Sequence, residues 1–276
     1  MNTIRIAQLQ TQVVPEKNQI LKYMSSFMEK VCGQGIDLVT LPEMFACPYN
    51  TASFPIFAEK EHGEIWSICS DLSKQYGIYL SAGSIPEIDD AGNVYNTAYV
   101  FNRQGEQIAK HRKMHLFDID IKNGQRFKES DTLSAGNQPT VFDTEFCKIG
   151  LCICYDFRFP ELSRLMVNEG AKVILVPAAF NMTTGPAHWE IMFRSRAIDN
   201  QVYVVGTAPA RNLSSKYISW AHSIIVSPWG DVLNQMEEQE GYTIQELDLD
   251  VVEQVRSQLP LLAHRRSDVY SLSQIR

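Results

Sequence analysis

The 276-residue chain contains no apolar run near the roughly 20 residues that a membrane-spanning helix needs. Its opening, MNTIRIAQLQTQ, breaks its hydrophobics with Asn2, Arg5, Gln8 and Gln10. It therefore lacks the core of a secretory signal and reads instead as a first strand carrying Ile4, Ile6 and Leu9. An excess of positive charge is missing as well. The chain carries 25 Lys and Arg against 32 Asp and Glu, a net charge of −7, which argues against a nucleic acid or an anionic membrane as partner. Cysteine is sparse: six residues lie scattered in apolar contexts, without the density of a disulfide scaffold, so reduced thiols in a cytoplasmic protein are expected. Cys147, Cys152 and Cys154 lack the paired CxxC or distant histidines of a zinc site, and no metal or cofactor is expected. No linker-like stretch or repeat divides the chain. With 45% hydrophobic and 21% charged residues it suits a single domain over 1–276 that works on a small molecule.

What is present is an alternation of strand-like and helix-like segments. Ile20, Met24, Phe27, Met28 and Val31 recur at helical spacing after Pro15, and DLVTLPE follows as a short buried strand. Ile65, Cys69 and Leu72 mark a helix ended by Gly77. IYLSAGSIPE, NTAYVFN and the segment beyond Gln104-Gly105 predict hairpin-linked antiparallel strands. The second half adds strands at IGLCIC, KVILVPAAF, VYVVGTAP, HSIIVSP (closed by a turn at Trp229-Gly230-Asp231) and YTIQELDLD. Its helices are predicted around Leu162 to Met166, over HWEIMFRSRAIDN and over VVEQVRSQL. Crossover helices mixed with hairpins predict an α/β layered sandwich.

Three polar residues stand at predicted strand ends. Glu43 follows VTLP, Lys113 ends QIAKHRK, and Cys154 ends IGLCIC ahead of YDFRFPEL. Sites in α/β sheets gather at such ends. A carboxylate can take a thiol proton and return it to a leaving amine, while an ammonium stabilises an oxyanion. The turn after Cys154 is expected to expose its sulfur, and a helix opening near Phe159-Pro160-Glu161 is expected to lower the thiol pKa with help from a nearby cation. Taken singly, each residue also has a bland reading as a cap, a surface charge or a core filler.

Together, LPEMF, KMHLFD and GLCICYDFRFPEL, followed by FNMTTGPAHWE, RSRAIDNQVYVVGTAPAR, SIIVSPWGDVL and RRSDVY, resemble the nitrilase superfamily of carbon–nitrogen hydrolases over essentially the whole chain. The resemblance implies a four-layer α-β-β-α sandwich of two mixed sheets that pairs into homodimers or larger assemblies. It also implies a Glu43-Lys113-Cys154 triad, a second glutamate at Glu129, and a Tyr155 backbone N–H that shares the oxyanion with Lys113. The closer likeness is to the ω-amidase branch, which removes ammonia from α-ketoglutaramate and α-ketosuccinamate through a thioester. For that substrate Arg158 is expected to bind the remote carboxylate, unless it instead pairs with Asp156 or Glu161. Tyr49 is expected to close the pocket or donate a hydrogen bond, and Met182 and Thr183 to line it. His111 and His115 need not touch substrate, and His188 and Trp189 are expected to pack or cap a helix. The competing readings keep the fold and triad but take deaminated glutathione or an N-carbamoyl compound. Nitrile hydrolysis, a non-catalytic scaffold and a metal-binding redox protein rank lower.

Overall fold

The computed structural model describes residues 2–120 and 126–275. Two mixed sheets stack face to face. In the first the order is Gly241–Asp248, Thr3–Gln10, Leu38–Thr40, Tyr79–Ser81, Val94–Phe101, Ile85–Ile88, with Gln107–Arg112 also paired to Val94–Phe101. In the second it is Val232–Gln235, Ile224–Val226, Tyr203–Thr207, Val173–Pro177, Lys148–Leu151, Thr140–Asp143. Each sheet has three parallel neighbours at its heart and antiparallel strands outside them. Parallel strands are covered on both faces, which is why LVT and VILVP are fully buried runs.

The two-residue period of a strand decides which layer each side chain joins. On the first strand Ile4 and Ile6 enter the core between the sheets, while Ala7 and Leu9 face the helices. Helix Lys17–Cys32 presents Ile20, Met24, Phe27, Met28 and Val31 to that outer face, beside Ile65, Cys69 and Leu72 of helix Glu64–Tyr76. Helices Pro160–Asn168 and Gly185–Asn200 cover the second sheet with Leu162, Met166, Trp189 and Phe193. The result is the expected α-β-β-α sandwich. Gly206 allows one of these contacts, since a Cβ there would lie 2.2 Å from the Phe193 ring. Between the sheets, near the site, apolar packing gives way to polar ties: Gln8 Nε2 donates to the Gly206 carbonyl at 2.8 Å, and the Thr40 and Thr207 hydroxyls meet at 2.7 Å.

The hairpin turns and the Gly77 helix end fall where the sequence places them. The segment around Cys154 differs. The strand stops at Leu151 rather than at Cys154, and a 3-10 turn over Cys154–Arg158 leads to the α-helix, which opens at Pro160 as expected. The chain turns because Cys154 takes a left-handed φ of +46° and the Asp156 side chain receives the Ile153 N–H at 3.1 Å.

Candidate active site

Glu43 sits three residues beyond strand Leu38–Thr40, on a bend defined by one hydrogen bond and one close glycine contact. Met44 has a φ of +53°, and its N–H donates to Ser84 Oγ at 3.1 Å. Gly83, at φ +58°, lies so close that a Cβ would stand 2.1 Å from the Pro42 carbonyl. Lys113 lies one residue past strand Gln107–Arg112, and its N–H donates to the Asn96 carbonyl at 2.8 Å. Glu129 opens a short 3-10 turn, pinned by the Phe117 N–H, which donates to Oε2 at 2.7 Å.

These bends bring the three charged groups together in the interior. Lys113 Nζ donates to Glu43 Oε1 and to Glu129 Oε1, both at 2.9 Å, and all three side chains are fully buried. Asn96 Nδ2 donates to Glu43 Oε1 at 2.8 Å, and the Ala179 N–H donates to Oε2 at 2.9 Å. The Tyr49 hydroxyl donates to Glu129 Oε1 at 2.7 Å and lies 3.2 Å from Glu43 Oε1. Burial pushes the Glu43 carboxyl above its ordinary range; Lys113 pulls it down and Glu129 pushes it further up. For Lys113 burial disfavours the charge, but Glu129 and Glu43 outweigh it and hold the ammonium protonated.

The Cys154 thiol faces the Glu43 carboxylate and the Ala179 N–H. Its environment reverses the sequence expectation of an exposed, acidified sulfur. Cys154 is only 5% exposed, and burial followed by the Glu43 charge drives its pKa well above the usual thiol value. Lys113 and the Ala179 N–H offset this only in part. The helix opens at Pro160, where the sequence places it, but no helix contribution is among the causes that offset the burial of the thiol. Burial and the Glu43 charge thus favour the thiol over the thiolate.

A crevice of only about 10 Å³, room for about one water, opens at the sulfur between Phe117, Tyr155, Arg158, Phe180, Thr184 and Tyr217. Arg158 lies across it. Its guanidinium stacks 4.6 Å from the Phe180 ring and contacts His188 Nδ1 at 3.0 Å. Among the described residues it pairs with no carboxylate, so the alternative bridges to Asp156 and Glu161 do not form. Tyr155 contributes its ring to the wall, edge-on to Phe117 at 5.1 Å. Tyr49 joins the carboxylate cluster rather than this wall, and it stacks 4.5 Å from Tyr217. Met182 is 40% exposed, and the Thr183 N–H is spent on Asn181 Oδ1; Thr184 lines the cavity in their place.

Four contributors escaped the sequence reading. Asn96 opens the NTAYVFN segment, which reads only as a strand, and Tyr217 lies outside every motif quoted. Ala179 acts through its backbone, which no side-chain pattern reports. Asp156 sits inside the quoted YDFRFPEL string but was weighed only as an Arg158 partner.

The carbon-nitrogen hydrolase family model matches residues 3–257. The chain is 45% identical over 276 residues to "Omega-amidase NIT2-A" of Xenopus laevis, covering all of both chains. It is 44% identical to "Omega-amidase NIT2" of Homo sapiens, covering 99% of this chain and 98% of the other. Among solved structures, Saccharomyces cerevisiae Nit3, described as a member of branch 10 of the nitrilase superfamily, superposes with a TM-score of 0.88 at 40% identity. That match covers 96% of this chain and 97% of the yeast chain.

Proposed function

We propose that this chain, which belongs to the carbon–nitrogen hydrolase family, is a cysteine-dependent ω-amidase that releases ammonia from α-ketoglutaramate or α-ketosuccinamate. The observation that carries the reading is the buried Glu43-Lys113-Glu129 cluster set against the Cys154 thiol, with the Arg158 guanidinium, unpaired by any carboxylate among the described residues, lining the crevice at the sulfur. Glu43 takes the thiol proton as sulfur attacks the amide carbon. The oxyanion is met by Lys113 Nζ and the Tyr155 N–H; two of the three ammonium protons are held by Glu43 and Glu129, and the third, on a long 3.4 Å contact to the Tyr49 hydroxyl, turns to the oxyanion. Glu43 then protonates the departing nitrogen, so the C–N bond breaks and ammonia leaves a thioester on Cys154. Water enters, Glu43 takes its proton as the water oxygen bonds to the acyl carbon, the C–S bond breaks, and Glu43 returns the proton to sulfur, releasing the acid and restoring the thiol. Arg158 holds the remote carboxylate by a bidentate contact. Glu129 and Tyr49 keep the ammonium aimed at the oxyanion.

We further infer a homodimer in the cytoplasm. Helix Gly185–Asn200 buries one face yet leaves Ile191 67% and Ile198 41% exposed, close to Trp229 at 56%, a surface suited to a second copy. All six cysteines are free thiols, in keeping with a reducing compartment.

The decisive experiment is ammonia release from α-ketoglutaramate, deaminated glutathione, an N-carbamoyl compound and simple aliphatic amides, with intact-mass analysis during turnover. The first substrate should dominate and leave an acyl adduct on Cys154. Turnover of α-ketoglutaramate no faster than of simple amides would sink the substrate assignment, and full activity in Cys154→Ala would sink the mechanism.

A further inference from the structure

One fully buried carboxylate has no part in the chemistry above. Asp156, two residues past Cys154, collects five nitrogen partners on its two oxygens. Oδ1 accepts the Met114 N–H at 3.1 Å, the His115 N–H at 2.8 Å and His115 Nδ1 at 2.8 Å. Oδ2 accepts the Ile153 N–H at 3.1 Å and meets His111 Nε2 at 2.9 Å. Two of the rings are themselves fixed, His111 by Thr140 Oγ1 at 2.9 Å and His115 by stacking on Phe159 at 3.8 Å. Only an ionised carboxylate, an acceptor at every lone pair, suits such a ring of donors.

The origin of those donors carries the argument. Ile153 immediately precedes the nucleophile. Met114 and His115 immediately follow Lys113. One side chain thus grips both turns, and these come from different sheets of the sandwich. Cys154 itself holds a left-handed backbone that a non-glycine residue keeps only when its surroundings enforce it.

We propose that Asp156 is a positioning residue, a clamp that keeps the Cys154 turn and the Lys113 turn in register so that sulfur and ammonium converge on one carbonyl. The clamp rests on the reading of Cys154 as nucleophile and Lys113 as oxyanion partner. It touches neither substrate nor the reacting atoms, and it works through the backbone on either side of them. A misplacement of about 1 Å in such a site lowers turnover by roughly a hundredfold.

The test is Asp156→Asn, which keeps the shape but turns one acceptor into a donor facing Ile153 and His111. Binding-competent sites are counted as the fraction of Cys154 that saturating α-ketoglutaramate shields from iodoacetamide, and turnover is expressed per counted site. Turnover per site should fall between about tenfold and a hundredfold, with KM little changed, and His111→Phe, which removes one donor of five, should lose far less. Asp156→Glu, which keeps the charge but shifts it along the chain, should show the same per-site loss if the asparagine variant fails to fold. Wild-type turnover per counted site in either Asp156 variant would overturn the clamp and leave Asp156 a folding residue. Cys154→Ala with full activity would instead defeat the underlying functional reading, so the two failures are distinct.

Discussion

Replacing Lys113 with methionine is the sharpest test of the buried cluster, because an unbranched side chain of similar bulk, one atom shorter, removes the charge and the N–H donors together. In the wild type the ammonium lies 2.9 Å from each of two carboxylates, and all three groups are out of water. Without it two buried anions face one another, a state proteins avoid by taking up a proton. Binding that proton at pH 7, from an ordinary carboxyl value of 4.5, costs about 3.4 kcal/mol, at about 1.4 kcal/mol per pH unit. This is an upper bound, since burial already raises Glu43 in the wild type. Unfolding entropy near 2.1 cal/mol/K per residue gives about 0.58 kcal/mol/K for this chain, so the melting temperature should drop by up to about 6 °C. The folded variant binds the extra proton with a pKa above that of the unfolded chain. Its stability relative to wild type is therefore greatest below pH 4.5 and is lost as pH rises through the folded value. Calorimetry of both proteins at pH 7 and pH 4.5 should show the gap closing at the lower pH, while ammonia release falls a hundredfold or more throughout. An equal gap at both pH values, or retained activity, would refute the argument that a lone cation neutralises two dry carboxylates.

Other perturbations probe separate parts of the site. Arg158→Lys should raise KM for α-ketoglutaramate by about tenfold or more while sparing simple amides, because a point charge replaces a bidentate fork; equal losses on both would make Arg158 structural. Burial opposes the Asp156 charge, yet His111, His115 and the Ile153 N–H outweigh it and hold the carboxyl below the usual carboxylate range. The stability it contributes is present above its unfolded value of 3.8 and lost as pH falls through the folded value, so Asp156→Asn should flatten the acid limb of a melting-temperature profile that stays steep in the wild type. In the empty enzyme, alkylation of Cys154 by iodoacetamide should climb with pH past 9 without levelling, and a plateau near neutrality would show a thiolate the surroundings do not favour. Gly83→Ala should displace the Pro42-Glu43 bend and lower kcat more than KM, since its Cβ meets the Pro42 carbonyl at 2.1 Å; wild-type kinetics would show that the bend yields freely.

The layers were legible because their signals are local. Alternation at Ile4, Ile6 and Leu9, the helical spacing from Ile20 to Val31, and the glycine at position 77 each act within a turn or two of chain. Glu43, Lys113 and Cys154 stood out because polar residues at the ends of buried runs are unusual. What stayed hidden depends on contacts between distant segments. The Asn96 amide reaches Glu43 across 53 positions, and the Ala179 N–H reaches it across 136. The state of the thiol was misread for the same reason. A helix terminus following a cysteine can be read from sequence, but the burial that opposes it is a property of the closed sandwich.

That reversal changes how the proposed reaction must begin. A thiolate stored in the resting enzyme would be a weaker nucleophile the lower its pKa, since nucleophilicity falls with basicity. Here burial raises the thiol and also raises Glu43, so acid and base rise together and the proton still has somewhere to go. The transfer separates no net charge across the pair: a neutral thiol beside a carboxylate becomes a thiolate beside a neutral acid. What makes it favourable is the oxyanion forming against Lys113, whose ammonium the two carboxylates have kept protonated and aimed. In the proposed reaction sulfur therefore becomes reactive as a carbonyl meets it, and the proposed Asp156 clamp on both turns sets whether that carbonyl meets sulfur and ammonium at once.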